Sequence, residues 1–313
     1  MHMENNYLCI TQAALGQIEN KFSCRSFALA LHKPSTRIQM MKNKAEQRLT
    51  GMMALVAVAF LLFASCSKKE SSTIAGFATA EVAETTPLTN GKDSPKCTIS
   101  VKMRYASDCK DSCRHAINAV LCRELLGYDS DDVPHSLENF AKDYAANYKD
   151  SMAKLFAADR NDRQKWSWYE HSYSMETNVE EGLRGIIVYT ATIDYNEGGA
   201  HGIAQMLTFN FDKQSGRLIT LNDVFVPEAE KRLTEMLQEK LKANVGAKNL
   251  DELKDKGYLN TTDMYVPQNF TLGSNDITFI YNVYEIAPYE HGVTKLSIDY
   301  SDVKGLLAKD FAD

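Results

Sequence analysis

The 313-residue sequence has no surplus of basic residues: 35 Lys and Arg stand against 41 Asp and Glu, a formal charge of −6. A dedicated nucleic-acid binder carries the opposite bias. The uncharged apolar run Gly51–Ser65 holds only 15 residues, short of the ~20 that a membrane-spanning helix needs. There is no G-x-S-x-G nucleophile motif, no H-x-x-x-H pair and no C-x2-C pair, so serine-hydrolase, helical zinc-protease and zinc-ribbon patterns all fail. With 44% hydrophobic and 24% charged residues, the chain is neither collagen-like, coiled-coil nor fully disordered, and its length allows one large domain or two small ones.

What is present first is an address. Lys42, Lys44 and Arg48 precede the apolar run, which ends Phe63-Ala64-Ser65-Cys66 before a polar SKKESS stretch. A basic segment, a short apolar segment and small residues describe an export signal. The stretch resembles a bacterial lipobox, with Phe63 in place of the commoner Leu, as in lipoproteins of Bacteroides-type bacteria. Residues 41–65 are expected to be a lipoprotein signal peptide and Cys66 the lipidated new amino terminus. Residues 1–40 read as an extension ahead of a start at Met40 or Met41. Residues 66–95, rich in Ser, Thr, Lys and Glu, read as a flexible tether. Residues 1–65 hold seven Lys/Arg and three Asp/Glu, so the remaining 248 residues carry 28 basic and 38 acidic side chains, a net −10. An acidic body does not favour anionic headgroups, so the acyl chains would hold the protein to its membrane, with the body outside the cytoplasm.

Four cysteines remain in an exported body: Cys97, Cys109, Cys113 and Cys122. An even number outside the cytoplasm suggests disulfides. Cys113 and Cys122 lie nine positions apart on one expected helix, half a turn out of phase and ~13 Å along its axis, which excludes that pair. A nested pattern, Cys97 with Cys122 and Cys109 with Cys113, is favoured. A metal set of Cys109, Cys113, His115 and Cys122 lacks the paired spacing of structural zinc sites, and no metal or cofactor is expected.

Periodicity predicts a strand at 97–106, a helix at 109–126 capped by Asp108 and stopped by Gly127, and a helix at 136–158. Strands follow at 166–179, 183–195, 203–211 and 217–221. A helix beginning near Pro227 ends at Gly246, and a short one covers 249–256. Strands at 264–272, 276–285 and 292–300 complete the pattern, with Ser301 capping a last turn. This order argues an α+β fold with largely antiparallel sheets and helices on one face.

Three stretches then carry a resemblance. They are Tyr195 to Gly202 (YNEGGAHG), Phe209-Asn210-Phe211-Asp212 through Leu221-Asn222-Asp223-Val224-Phe225, and Ile277 to Asn282 through Tyr284-Glu285-Ile286-Ala287-Pro288-Tyr289. In this order they resemble the extracytoplasmic domain pair of RsiV-type anti-sigma factors, also attached to the PdaC polysaccharide deacetylase. The resemblance covers residues 96–308. It implies two packed subdomains, an amino-terminal α/β one over residues 96–195 and a carboxy-terminal α+β one over residues 196–313. RsiV-like ectodomains bind host lysozyme, and PdaC-like ones accompany a separate catalytic domain acting on peptidoglycan. With no such catalytic domain or sigma-binding segment recognisable in the chain, the envelope-binding theme is what transfers.

Among the residues themselves, Gly198-Gly199-Ala200-His201-Gly202 is the most unusual stretch. Its glycines allow positive φ and close backbone approach, so Glu197, Gly198, Gly199, His201 and His291 are the ligand-binding candidates. The competing reading has the glycines shaping a hairpin, with His201 bonded locally. The stretch lacks the Lys-Ser/Thr of a phosphate loop. Asp194 with Glu197 could be a carboxylate pair for glycoside hydrolysis, but three positions apart in a strand they face opposite ways. Trp166, Trp168, Tyr169 and Tyr173 could stack on sugars, though core packing suits most of them better. Asp129-Ser130-Asp131-Asp132 lacks the Gly and distant Glu of a calcium loop. Together these point to a non-catalytic, lipid-anchored envelope protein. Its expected partner is a basic, lysozyme-like protein or a peptidoglycan fragment. The rival is a cell-wall hydrolase or deacetylase.

Overall fold

The structure, a computed structural model, describes residues 76–198 and 201–312. The expected start, the signal peptide and Cys66 lie outside the described residues. The chain opens with β1 (Phe77–Pro87) and β2 (Lys96–Ala106), antiparallel along their whole length. Helix α1 (Asp111–Leu121) runs into a π-helical turn (Cys122–Leu126), and the long α2 (Val133–Asp159) follows. Strand β3 (His171–Glu181) returns parallel to β2. Strands β4 (Ile186–Glu197), β5 (Ile203–Asp212) and β6 (Leu218–Ile219) add antiparallel neighbours, giving a six-stranded sheet in sequential order. Helices α3 (Leu221–Val224), α4 (Ala229–Val245) and α5 (Leu250–Asp255) lead to a second antiparallel sheet of β7 (Phe270–Leu272), β8 (Asp276–Tyr281) and β9 (Thr294–Asp299). Short helices α6 (Tyr300–Val303) and α7 (Lys309–Ala312) close the chain. The fold is α+β, with largely antiparallel sheets, as the sequence pattern argued.

Alternation makes the large sheet two-faced. Cys97, Ile99, Val101 and Met103 of β2 are buried while Thr98 and Ser100 face out, the period-2 signature of a strand with one covered face. The cover is α2, whose Leu137, Phe140, Ala141, Tyr144 and Tyr148 form a buried stripe at helical spacing,. Asp132 caps α2, its Oδ1 accepting the His135 N–H at 3.1 Å, and Pro134 sits in the first turn,. Strand β4 serves two cores. Ile187, Tyr189, Ala191 and Ile193 join the helix-covered core; Ile186 and Val188 join a second core built on Leu233, Leu237, Phe270, Phe279 and Ile298.

The second lobe is pinned to β5 by side-chain amides. Asn269 Oδ1 accepts from the Thr208 N–H at 2.9 Å, and its Nδ2 donates to the Met206 carbonyl at 2.7 Å. Asn210 donates to the Phe270 carbonyl and accepts from the Leu272 N–H, each at 2.8 Å. Asn269 thus completes backbone groups along β5 that β6, only two residues long, does not reach, and Asn210 of β5 answers those of β7,. Nearby, Gly182 approaches β7 so closely that a Cβ would stand 2.1 Å from the Leu272 carbonyl oxygen, which only glycine permits.

Several expectations are corrected. Residues 77–87 are not tether but an edge strand. Phe77, Ala80 and Val82 pack on the core, while Thr79, Glu81 and Ala83 face solvent. An edge strand over a helix needs only one modest apolar row, so its composition looks like a linker. The division at 195/196 falls inside β4, a strand paired on both sides within one sheet, since Tyr195 pairs with Tyr173 and with Ile203. Residues 163–169 form a 3-10 helix rather than the start of a strand. Lys110, not Asp108, precedes α1, with no side-chain cap, although Gly127 does end the helical run at φ 79°. Asp299, not Ser301, precedes α6.

Candidate functional site

Of the sequence-derived candidates, Glu197, Gly198 and His201 flank the loop after β4, and His291 ends a separate 3-10 turn. Glu197, at the end of β4, lies in register with His171 of β3, which in turn faces Cys97 of β2. The three form a cross-strand row on the helix-covered face. Glu197 Oε1 accepts from the Tyr144 hydroxyl at 2.9 Å. His171 packs against Tyr148 in a tilted arrangement with ring centroids 4.9 Å apart, is only 8% exposed, and its Nε2 has no hydrogen-bond partner among the described residues. Burial lowers the His171 imidazole below its ordinary 6.5, with the Glu197 carboxylate opposing. Burial, reinforced by the same carboxylate, pushes the Cys97 thiol up to about 11, so it is a poor nucleophile at neutral pH.

Gly198 has φ +89° and sits on the chain before β3: a Cβ would lie 2.4 Å from the Trp168 carbonyl oxygen. Gly199 and Ala200 fall outside the described residues. On the far side of the loop, His201 stacks on Tyr289 at 4.2 Å and 16°, with Tyr284 Oη 3.5 Å from its Nε2. Tyr284 is exposed and adopts φ +68°. His291 packs instead against Tyr258 at 4.7 Å. The loop thus rests one end on the first core and the other on the second lobe. Its two ends do not bring Glu197 and His201 into contact.

Asp194 and Glu197 stand on opposite faces of β4: Asp194 pairs with outward Ser174, Glu197 with buried His171. The expected disulfides are not formed. Cys97, Cys109, Cys113 and Cys122 are all free. Cys97 faces His171 across the sheet, whereas Cys122 lies beside Ser136 of α2. Cys113 neighbours Cys109 and directs its thiol to the Lys213 carbonyl at 3.6 Å; burial, then the Cys109 thiol, pushes it up to about 11. Among the described residues, no three His, Cys, Asp or Glu side chains converge to hold a metal ion. Trp166 donates to the Arg160 carbonyl and packs under the Arg163 guanidinium at 4.1 Å, so it is structural. Trp168 is exposed. Asp131 pairs with His115, which accounts for part of the acidic turn.

The sequence reading missed a groove of about 610 Å³ on the outer face of β2, β3 and β4. Its floor is three cross-strand rows. Ser100, Ser174 and Asp194 form one; Lys102, Glu176 and Thr192 the next; Asn178 and Thr190 the third, with Arg104 at its β2 end. All are outward positions of alternating strands, a pattern visible in the sequence. The register that gathers them is not, because β2 and β3 are parallel and joined through two helices. Further along the same face, β4 and β5 are covered by the second lobe, so the groove is the part left open.

With this geometry in place, comparisons with known proteins are informative. Residues 222–301 match the family model described as "Protein of unknown function (DUF3298)". A crystal structure of a DUF3298 family member from Bacteroides fragilis superposes with a TM-score of 0.70 at 26% identity, over 74% of this chain and 93% of that one. A DUF3298 family protein from Pseudomonas aeruginosa shares the fold, with a TM-score of 0.53 at 20% identity over 75% and 96%. The peptidoglycan-N-acetylmuramic acid deacetylase PdaC of Bacillus subtilis is 26% identical over 189 residues, 54% of this chain. The match spans 40% of that enzyme's length.

Proposed function

We propose that the chain is a lipid-anchored cell-envelope protein whose body binds a peptidoglycan fragment without transforming it. The observation that carries this reading is the open groove on β2–β4. It is walled by serine, threonine and asparagine side chains and by charges of both signs. Muropeptides carry hydroxyl, amide, carboxylate and amine groups, and such a surface satisfies all of them. The distant likeness to a protein named as a peptidoglycan deacetylase supports the same setting. Anchoring rests on Cys66 and the lipobox resemblance around it.

Two other readings have specific support. The net −10 beyond residue 65 favours encounter with a basic, lysozyme-like protein by electrostatic steering,. The same named relative keeps deacetylation or hydrolysis in play. Calorimetric titration of the full chain with purified muropeptides and with lysozyme separates them. Saturable heat with muropeptide, and recovery of the muropeptide unchanged by mass spectrometry, is the expected result. Loss of acetyl groups or cleavage would replace binding by catalysis. Heat with lysozyme alone would move the reading to a protein partner.

A further inference from the structure

Two charges in the groove differ from the rest. Lys102 stands across from Glu176 in register and 3.9 Å from Glu81, so the middle row largely compensates itself. Arg104 and Asp194 have no ion pair among the described residues, yet both line the groove. Arg104 is held at its backbone: its N–H donates to Thr177 Oγ1 at 2.7 Å and its carbonyl accepts from the buried Tyr189 hydroxyl at 2.7 Å. Asp194 is fixed in the neighbouring ladder, its carbonyl accepting from Ser174 Oγ at 3.3 Å. They occupy diagonally opposed corners. Four residues along the strands and two strand spacings separate their backbones by on the order of 16 Å.

From this arrangement, and resting on the peptidoglycan reading above, we infer that the groove recognises the peptide part of the fragment: a short, extended, zwitterionic peptide with its carboxylate on Arg104 and its amine on Asp194. An extended chain covers ~3.3–3.6 Å per residue, so the span suits about four or five residues. Serine, threonine and asparagine side chains lie between the corners and can meet the peptide's amides,. The ligand cannot join as an added strand, because β2, β3 and β4 each have partners on both sides. Recognition therefore falls to side chains, and the two end charges set direction. A glycan strand is a poorer occupant. Among the described residues, no aromatic side chain lines the groove, and sugar rings present flat C–H faces that pack best on aromatic rings.

The test uses the full chain and three probes: a disaccharide-tetrapeptide, the free stem tetrapeptide, and the peptide-free disaccharide. The free peptide is expected to bind most tightly, and the disaccharide not at all. The disaccharide-tetrapeptide, whose peptide amino end is closed by its amide bond to the lactyl group of the sugar, should bind more weakly by roughly tenfold or more, through Arg104 alone. Arg104→Gln should weaken the free peptide by roughly tenfold or more, the value of one charge-assisted contact. Amidating the peptide carboxylate should weaken the wild type equally and leave Arg104→Gln indifferent. Asp194→Asn with an amine-acetylated peptide is the matching pair. Unchanged thermal unfolding of both variants shows that the fold is intact. If the disaccharide-tetrapeptide binds but neither variant weakens it, or the bare disaccharide binds as well, this inference is overturned while the proposed function stands. If no muropeptide binds at all, both fall together.

Discussion

Asn282, just after β8, answers both backbone groups of Met206 on β5: its Oδ1 accepts the N–H at 2.7 Å and its Nδ2 donates to the carbonyl at 3.2 Å. With Asn269 it acts as a stand-in for a missing strand along β5, and it ties the second lobe to the large sheet. Asn282→Ala removes both bonds at a buried position and should destabilise the protein by roughly 2–3 kcal/mol. Asn282→Asp keeps the acceptor but not the donor, so its loss should be smaller at neutral pH. Because Asn269 still donates to the Met206 carbonyl, the acceptor bond should dominate. Urea unfolding of the two variants measures the difference, and equal losses would show that the bond from the Met206 N–H contributes nothing.

A second expectation concerns acid. His171 has its imidazole lowered below 6.5 by burial, so the unfolded chain takes up the proton first as pH falls. The folded state therefore keeps its full advantage above about pH 6.5, and loses it as pH drops from there toward the lowered folded value. Stability should decline over this window, well before the carboxylates titrate. In His171→Gln that decline should vanish while the acid limb remains. A wild-type urea midpoint that stays flat between pH 7.5 and 5.5 would contradict the assignment.

Thiol chemistry offers a third check. Cys97, Cys113 and Cys122 are buried, and burial raises all three thiols, Cys97 and Cys113 to about 11. Cys109 is exposed. A short iodoacetamide pulse at neutral pH should alkylate Cys109 well ahead of the other three, which should react at a common rate once the protein is unfolded. Peptide mass spectrometry reads the order. Comparable rates in the native state would mean that the first core opens readily.

The loop after β4 yields a fourth. Gly198→Ala places a Cβ against the Trp168 carbonyl at a positive φ and should cost roughly 1–3 kcal/mol. His201→Ala removes only a stacked, exposed ring and should leave stability nearly unchanged. Muropeptide affinity of the His201 variant, measured beside its unfolding curve, tells whether this stretch does more than shape a turn. Unchanged affinity reduces it to one.

The sequence made some of this legible, for physical reasons that differ by element. The Leu137–Phe156 stripe and the Cys97–Met103 alternation were readable because a single partner surface imposes a single period on each. Gly246 was readable because the end of α4 needs a left-handed residue, φ 66° here,. Strand β1 was hidden because half its side chains meet only water. Trp166 to Tyr169 alternate like a strand, yet Phe156 of the preceding helix and Arg160 just after it draw them into a 3-10 turn through ring packing and the indole hydrogen bond. Asn210 and Asn282 stood inside the motif that carried the family resemblance, but their role depends on backbone groups more than 60 residues away. The groove was the least legible part. Arg104 and Asp194 are unremarkable alone and gain meaning only from a register set by a long crossover.

That crossover also has a kinetic consequence. Strands β1–β2 and β3–β4–β5 are local ribbons joined by short connections, but β2 meets β3 only after a connection of 64 residues holding α1 and α2 has closed. Closing so long a segment is entropically slow compared with zipping a hairpin. The seam between β2 and β3 should therefore be late to form, and the groove lies across it, with Arg104 on one bank and Asp194 on the other. Ligand capture during refolding would then report on seam closure itself, trailing the signals of helix and hairpin formation.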